Sequence, residues 1–292
     1  MQKLKDIARS VKRLAKSNVS LFDSTLTTRL TGLRVFDVGQ GDCFGLLDQN
    51  GEVFCYVDYG GLGDHPDQGS RLKNPAGSRM PVGYGTGHAA VVLTHWDKDH
   101  YYSAKKYNDE AKKGLWLVPR QLASPQAVKF AAGLPNALRW PESWGQKVKT
   151  FRVNSNDCIE IRKCEKFVGS AKTEDRNATG LVVTLSKFKN RTLQFYSLLP
   201  GDRHFDGIPG LPSAEIRVLI AYHHGSDTDW KVATKKEITN LLGAPRDLVY
   251  SYGANNTFGH PVTINYKTEW HPPTVRTPKL RRQKKKFEDF TW

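Results

Sequence analysis

The sequence predicts an α/β protein in which two sheets are covered by helices. Short apolar runs rich in β-branched residues are typical of strands, and they form two clusters, at 33–118 and at 147–252. Helical patterns lie between these runs. Several of the runs end in histidine or aspartate, which are residue types that hold metal ions. The sequence therefore also predicts a functional site where strands end.

The first cluster begins with apolar runs at 33–38, 43–47 and 53–57. Asn50 and Gly51 lie between the last two runs, and this pair predicts a tight hairpin. Residues 60–87 are rich in Gly, Pro and polar residues, so we expect a long loop before a fully buried strand at 89–93. A helix is predicted at 101–113, a short strand at 115–118, and a weak helix at 126–138 that Gly133 and Pro135 interrupt.

The second cluster contains five predicted strands, at 147–153, 158–163, 181–185, 193–199 and 216–222. A helix at 231–242 and a strand at 248–252 complete the pattern. No linker of flexible composition divides the chain, so one domain is expected from 32 to 270. A basic helical segment at 1–31 precedes it, and a basic tail at 271–292 follows it.

The N-terminal segment has apolar residues at the spacing of one helical stripe, with lysine and arginine elsewhere on the helix. Such a helix can pack on the core, lie on anionic lipid or bind a protein partner. Packing on the core is favoured, because nothing in the helix is bulky enough for firm membrane insertion. No membrane insertion is therefore expected.

Composition narrows the class of protein. The 292 residues are 38% hydrophobic, which supports a conventional core, and no run of eighteen apolar residues indicates a membrane helix. The N-terminus lacks the apolar centre of a secretory signal, so a cytoplasmic location is expected. The four cysteines show neither zinc-ribbon pairing nor the density of a disulfide scaffold, and reduced core cysteines are expected.

The formal net charge of +15 favours a polyanionic partner over a neutral small substrate. Part of the excess lies at 276–286, which holds seven basic residues and no acidic one. This run is either a solvated tail or an arm that contacts phosphates, and the two alternatives stay open. The candidates for nucleic-acid contact in it are Arg281, Arg282, Lys284 and Lys285.

The densest set of potential ligands directly follows the predicted strand at 89–93. It consists of His95, Asp97, Asp99 and His100, which supply the imidazole and carboxylate donors of zinc, manganese and iron sites. The alternative is a polar loop with capping aspartates. Charged groups are rarely placed this close to a core without partners, so a metal site is favoured.

Three later segments repeat this pattern of a strand, then a ligand type, with Gly or Pro nearby. They are Gly201-Asp202, His223-His224-Gly225-Ser226 and Gly259-His260-Pro261. Two earlier segments, Asp37-Val38-Gly39-Gln40-Gly41-Asp42 and Asp58-Tyr59-Gly60, complete an ordered series with the first ligand cluster. In this order the motifs resemble the metallo-β-lactamase fold, and most closely its branch in the hydrolase domain of ComEC-type DNA-uptake proteins.

The resemblance covers residues 32–263 and implies an αββα sandwich of two mixed sheets flanked by helices. It also implies two divalent metal ions at one edge of the sandwich. His95 and Asp97 would bind one ion, Asp99, His100 and His260 would bind the other, and Asp202 would bridge them. Asp58 would orient the ligands, while His224, paired with His223, would be the better candidate for a general acid.

Two departures from the family pattern bear on the metal. The family usually has histidine where Asp97 stands, and it usually supplies a further histidine before the bridging aspartate. No histidine occurs here between His100 and His204. Asn177, Asp175 or water would complete the first position. The oxygen-rich donors shift the expected metal from zinc toward manganese, with magnesium also open.

The leading hypothesis is a metal-dependent nuclease, with Asp99 required for cleavage and DNA favoured as the substrate. Trp96 and Tyr101 are candidates to stack on unpaired bases, and Lys98 is a candidate phosphate contact; core packing and solvent exposure are their respective alternatives. The competing hypotheses are a hydrolase of a small molecule such as a cyclic nucleotide, and a metal-deficient binding or effector subunit. A role in defence or repair is the expected biological use.

Overall fold

The protein is described here by a computed structural model. It describes residues 29–61, 89–107, 109–141, 144, 148–164, 176–203, 205–226, 244–253, 259, 261, 274–283 and 287–292. The predicted N-terminal helix, the long loop after Gly61 and the predicted helix at 231–242 lie outside these residues. Within the described parts of the chain, no helix is both long enough and apolar enough to cross a membrane.

In the described parts of the chain, fourteen strands form two sheets of seven strands each. The strands of the first sheet are β1 (Gly32–Phe36), β2 (Cys43–Leu47), β3 (Val53–Tyr59), β4 (Ala90–Val92), β5 (Trp116–Val118), β6 (Ala137–Arg139) and β14 (Phe287–Thr291). Those of the second sheet are β7 (Val148–Arg152), β8 (Asp157–Lys163), β9 (Leu181–Lys189), β10 (Thr192–Leu199), β11 (Glu215–Ile220), β12 (Asp247–Tyr250) and β13 (Thr274–Arg276). The prediction of two mixed sheets is confirmed.

Both sheets change from antiparallel to parallel pairing along their width. The first sheet has the order β14-β1-β2-β3-β4-β5-β6, antiparallel from β14 to β3 and parallel from β3 to β6. The second has the order β13-β12-β11-β10-β9-β8-β7, antiparallel from β7 to β10 and parallel from β10 to β13. Parallel neighbours send their carboxyl ends to the same edge of a sheet.

Successive side chains of a strand point to opposite faces of its sheet, which places them in different layers of the protein. In β9, Val183 packs in the central core between the two sheets, whereas Val182 packs on the outer face of its sheet. The outer face of the first sheet is covered by three short helices, α1 (Tyr102–Tyr107), α2 (Asp109–Lys113) and α3 (Pro125–Ala132). Two further helices, α4 (Arg176–Thr179) and α5 (Thr277–Arg282), lie at the ends of strands.

One local prediction was wrong. The helix predicted at 126–138 is only α3, which Ser124 caps by accepting a hydrogen bond from the Ala127 amide at 3.2 Å. The chain then turns at Gly133 into strand β6, which the sequence pattern places largely in that helix. The helix predicted at 101–113 corresponds to α1 and α2, and Asn108 between them lies outside the described residues.

The prediction of a separate tail from residue 271 is also wrong for the described residues. Strand β13 pairs with β12, and β14 pairs with β1 in antiparallel register. Leu280 of α5 is buried. The basic run at 276–286 therefore begins in the second sheet and precedes β14 of the first, and its Leu280 side chain occupies a buried position.

Candidate metal centre

The predicted ligand segments meet because they leave parallel strands at the same edge. Asp58 lies near the end of β3, and the cluster at 95–100 follows β4, which is parallel to β3. Asp202 follows β10, and the pair His223-His224 follows β11, which is parallel to β10. This is the edge at which parallel strands place their functional loops.

Three buried side chains converge at the centre of this edge, namely His95, His100 and Asp202. The Nε2 atom of His95 lies 3.2 Å from Oδ2 of Asp202, and Nε2 of His100 lies 3.4 Å from Oδ1 of the same carboxylate. Donor atoms bound at about 2.0–2.2 Å to one ion lie roughly 3–3.5 Å apart in tetrahedral geometry. The three side chains are therefore spaced like ligands that share a cation.

A second group adjoins the first and consists of Asp99, His100 and His224. The Nε2 atom of His224 lies 3.0 Å from Oδ2 of Asp99, and Nε2 of His100 lies 3.9 Å from Oδ1 of Asp99. The family resemblance implies a general-acid role for His224 and a ligand role for His260. His260 lies outside the described residues, whereas His224 occupies a ligand-like place.

The opposite nitrogens of two of these imidazoles are held by fixed partners. His224 Nδ1 is 2.8 Å from the backbone carbonyl of Ser251. A carbonyl only accepts, so Nδ1 donates and Nε2 is the nitrogen left to face Asp99. His100 Nδ1 lies 2.8 Å from Oδ2 of Asp58, which fixes that ring in the same sense. Partners of this kind orient metal-ligating histidines.

The centre leaves buried polar atoms without hydrogen bonds. Among the described residues, Nε2 of His95, Nε2 of His100 and Oδ1 of Asp202 have no hydrogen-bond partner, although each is inaccessible to solvent. Leaving such groups unsatisfied carries a desolvation cost, typically about 1–3 kcal/mol for each atom. A divalent cation would satisfy all three, and nitrogen and oxygen donors suit such an ion. The residues present therefore fit a metal.

The electrostatics also favour a cation. Burial lowers the pKa of His95, as does the neighbouring His100, but the carboxylates of Asp202 and Asp97 outweigh both and raise it to about 9. Burial acts to raise the pKa of Asp202, yet the adjacent histidines hold this pKa well below its usual range. In the metal-free protein, protons on the imidazoles supply positive charge that a metal would replace.

Backbone strain is concentrated at the same residues. Asp58, His223 and His224 have φ values of 58°, 45° and 56°, in the left-handed region that non-glycine residues rarely adopt. Asp58 is nonetheless held by the amide of Thr94 at 2.7 Å and its hydroxyl at 2.8 Å. Such conformations persist where the surrounding structure over-determines them, which is common at functional sites.

Two glycines in the motifs allow the ligand loop to approach the first sheet. A Cβ atom on Gly60 would lie 1.7 Å from the Asp99 carbonyl oxygen, and one on Gly41 would lie 2.2 Å from it. The same oxygen accepts hydrogen bonds from the amides of Gly61 at 2.9 Å and Asp42 at 3.3 Å. The glycine-rich motif at 37–42 therefore fixes the backbone of Asp99.

Asp97 is at the rim of the centre and is not part of either buried group. Its Oδ2 lies 3.4 Å from Nε2 of His95, while its Oδ1 lies 2.9 Å from Nη2 of Arg176. Asn177, which follows Arg176 in α4, is half-buried. Asp175 lies outside the described residues.

The remaining site candidates are His223, Lys98 and the basic residues near the C-terminus. His223 is half-buried, with Nε2 at 3.6 Å from Oδ2 of Asp202. Lys98 lies over the ring of Tyr102 at 4.4 Å. Lys284 and Lys285 lie outside the described residues, whereas Arg281 and Arg282 belong to α5.

The prediction that Trp96 and Tyr101 stack on bases is wrong. Trp96 is 4% exposed and Tyr101 is 1% exposed. The indole of Trp96 donates to the Pro119 carbonyl at 3.3 Å, and the ring of Tyr101 is stacked on Phe130 with centroids 5.0 Å apart. Both rings pack in the core under the helices, so their faces are not available to a base.

The sequence predicts no site role for four residues that the structure places at the centre, namely Asp42, Thr94, Arg176 and Ser251. Asp42 is buried, and its Oδ1 lies 3.4 Å from Nδ1 of His224. Its position at the end of the glycine-rich motif was a signal that could have identified it. Ser251 acts through its backbone carbonyl, which no sequence pattern reveals.

No protein-family model and no curated protein matches the chain. Among solved structures, YhfI from Bacillus subtilis, a metallo-β-lactamase fold protein, has a TM-score of 0.50 at 12% identity, over 90% of this chain and 100% of that chain. This likeness shows that the chain has the metallo-β-lactamase fold.

A more distant likeness is to CmlA, a diiron β-hydroxylase from Streptomyces venezuelae, with a TM-score of 0.46 at 11% identity, covering 91% of this chain and 55% of that chain. A mutant of the CmlA β-hydroxylase has the same TM-score and identity, and the chain spans 54% of its length.

Proposed function

We propose that this metallo-β-lactamase-type sandwich is a metal-dependent hydrolase that cleaves phosphodiester bonds of nucleic acid, with DNA favoured. The observation that carries the proposal is the buried convergence of His95, His100 and Asp202, in which three facing atoms have no hydrogen bond among the described residues. Divalent metal held at this centre would supply an activated water at neutral pH and would stabilise charge on a phosphoryl group.

The residues of the metal centre then have separate roles. His95, His100, His224, Asp99 and Asp202 are the side chains that would hold divalent metal, and Asp58 orients His100 through its Nδ1 atom. His223 is the residue placed to move a proton, because its side chain is 30% exposed and reaches to within 3.6 Å of Asp202. An imidazole suits this task near neutral pH. His223 replaces His224 in the role of general acid, since both nitrogens of His224 face fixed partners.

Charge supports nucleic acid as the substrate. A net charge of +15 raises the local concentration of a polyanion and gains binding free energy by releasing its counterions. Neither effect helps a small neutral ester. The resemblance of the motif order to the hydrolase domain of DNA-uptake proteins supports DNA over RNA. Hydrolysis of a small phosphodiester by the same centre is the alternative that the experiment below separates.

The test is a cleavage assay on purified protein with single-stranded DNA, duplex DNA, RNA and a small phosphodiester, each with manganese, magnesium or zinc. We expect cleavage of nucleic acid, and we expect Asp99→Ala to abolish it while circular dichroism stays unchanged. Asp109→Ala is the matched control, because this carboxylate is exposed on α2 and should leave cleavage intact. Turnover of the small diester alone would contradict the proposal.

A further inference from the structure

A positively charged side chain, that of Arg176, lies at the rim of the metal centre. The guanidinium of Arg176 contacts Asp97 at 2.9 Å, and the other carboxylate oxygen of Asp97 faces Nε2 of His95 at 3.4 Å. The Arg176 side chain is 35% exposed, so the guanidinium is next to the buried donors and also reaches solvent. A guanidinium has five donors and no lone pair, so it cannot itself bind a metal.

The position of Arg176 is fixed by its backbone. The side-chain amide of Gln121 donates to the carbonyl of Arg176 and, at 2.9 Å, to the hydroxyl of Thr179, while its oxygen accepts from the amide of Trp96 at 3.2 Å. Gln121 therefore joins α4 to the ligand loop. The Leu181 amide also donates to the Thr94 carbonyl at 2.7 Å. Both ends of the short helix are thus tied to the segment that carries His95.

The two candidate metal positions differ in their donors. Nε2 of His100 faces both positions, at 3.4 Å from Asp202 and 3.9 Å from Asp99, and it can bind only one ion. With His100 at the second position, the donors there among the described residues are Asp99, His100, His224 and Asp202. Arg176 engages Asp97, so the described residues leave His95 and the shared Asp202 for the first position. Metal sites with catalytic roles usually have at least three protein ligands, so only the second position meets this number.

We propose that Arg176 takes the place of a second metal ion. In this arrangement the protein binds one divalent cation tightly, at the second position, and Arg176 binds the phosphoryl oxygens of the substrate. Asp97 is a positioning residue that holds the guanidinium. A planar guanidinium suits two oxygens of one phosphate. The phosphate part of this inference rests on the proposed function, whereas the metal count does not.

The first experiment counts metal ions without any substrate. Manganese is titrated into the metal-free full chain, and the unbound ion is measured by its electron paramagnetic resonance signal. We expect one tight ion in the unaltered protein and a second that binds at least about tenfold more weakly, a difference of about 1.4 kcal/mol. Two ions of equal affinity would overturn the proposal.

Variants then separate the role of Arg176 from that of Asp97. Arg176→Met removes the charge and releases Asp97, so the second ion should bind more tightly, while Arg176→Lys retains the charge and should behave like the unaltered protein. Asp97→Asn should keep the tight ion if Asp97 positions Arg176. Loss of that ion in Asp97→Asn, with circular dichroism unchanged, would show that Asp97 is a metal ligand and would overturn the proposal.

The second experiment uses inorganic phosphate as the probe. Calorimetric titration of the one-metal protein should show phosphate binding that Arg176→Met weakens by about tenfold, the size expected for a charge-assisted hydrogen bond. Unchanged phosphate affinity would overturn the proposal. Neither measurement depends on turnover, so a protein that passes both and cleaves no nucleic acid would refute the proposed function while this inference stands.

Discussion

His100 connects the candidate metal ligands to Asp58, the carboxylate that orients its ring. Its Nδ1 atom contacts Asp58, and its Nε2 atom faces Asp202 across the position expected for a cation. His100 and Asp58 are both fully buried, so solvent does not weaken the contact between them. The orientation of the ring, and with it the aim of Nε2, therefore depends on a carboxylate that does not itself bind the metal.

Replacing Asp58 should weaken metal binding without removing a ligand. Asp58→Asn keeps the size of the side chain but loses the charge that holds His100, and we expect the metal affinity to fall about 10–100-fold. Isothermal titration with manganese measures this change.

Asp48→Asn is the matched control, because Asp48 is also buried but accepts hydrogen bonds from the amides of Asn50 and Glu52 in the turn after β2. Equal affinities in the two variants would contradict an orienting role for Asp58.

The metal-free protein should lose stability as the pH rises from 6.5 to 9. The pKa of His95 is raised in the folded state from 6.5 to about 9, so its contribution is complete below pH 6.5 and is lost as the pH passes 9. The shift corresponds to at most about 3 kcal/mol. Thermal unfolding of chelator-treated protein at the two pH values measures this effect.

The lowered pKa values of Asp99 and Asp202 affect stability in a different pH range. Their contributions are present above the unfolded-state pKa and are lost only in acid, so they do not change between pH 6.5 and 9. His95→Gln is the control, since removing this imidazole should reduce the dependence, while His100 and His224, whose pKa values are also raised, keep the remainder. A metal-free protein that is equally stable at both pH values would show that the raised pKa is wrong.

At the scale of elements, strand β14 covers the outer side of β1 and forms one edge of the first sheet. It pairs with β1 over five residues, and the guanidinium of Arg34 contacts both carboxylate oxygens of its opposite neighbour Asp289, at 2.7 and 2.8 Å. Phe290 packs against the central core, whereas Phe287 is 39% exposed. An unpaired β1 would present its backbone groups to solvent and to other chains.

The two phenylalanines of β14 should therefore differ in their effect on stability. Phe290→Ala removes a ring that packs on the core, and we expect a loss of about 2 kcal/mol in the free energy of unfolding. Phe287→Ala removes the ring that lies 4.0 Å from the Arg34 guanidinium, and about 1 kcal/mol or less is expected for such a contact. Urea unfolding compares them, and equal losses would argue against the register of β14.

The sequence predicted most of the strands but missed β6, β13 and β14. Strands β2, β8 and β10 have apolar runs long enough to show their type. Strand β6 has three residues, and β14 alternates exposed and half-buried positions in a charged context. Their identity depends on pairing with distant strands, and local patterns carry no information about that pairing.

The same limit applies to the candidate site. Residue types and order were enough to select His95, Asp99, His100 and Asp202, because strand ends of parallel pairs meet. The contact of Arg176 with Asp97 depends on how α4 sits on the ligand loop, and the burial of Trp96 depends on the helices that cover it. Both follow from tertiary packing.

At the scale of the whole molecule, the charge excess should govern binding to nucleic acid. Affinity for single-stranded DNA should fall steeply between about 50 and 200 mM salt, because each contacted phosphate contributes about 0.7 to the slope of log affinity against log salt. Fluorescence anisotropy on metal-free protein measures the slope without cleavage. Lys98→Ala should reduce it by one contact, and an unchanged slope would remove Lys98 from the interface.

Exposed lysine on α2 provides the comparison for that measurement. Lys113 forms an ion pair with Glu110 at 2.5 Å, so its charge is already matched locally. Lys113→Ala should leave the salt dependence unchanged. A reduction equal to that of Lys98→Ala would indicate a general effect of net charge and no local phosphate contact.

The pairing of β14 with β1 has a consequence for the order in which the protein can fold during synthesis. Arg34 and Asp289 are separated by 255 residues, so the ribosome exposes β1 long before its outer neighbour exists. During translation β1 is an edge strand, and the first sheet can become complete only after almost all of both sheets has emerged. The nascent chain therefore passes through a stage in which a chaperone that shields β-edges would protect it from aggregation.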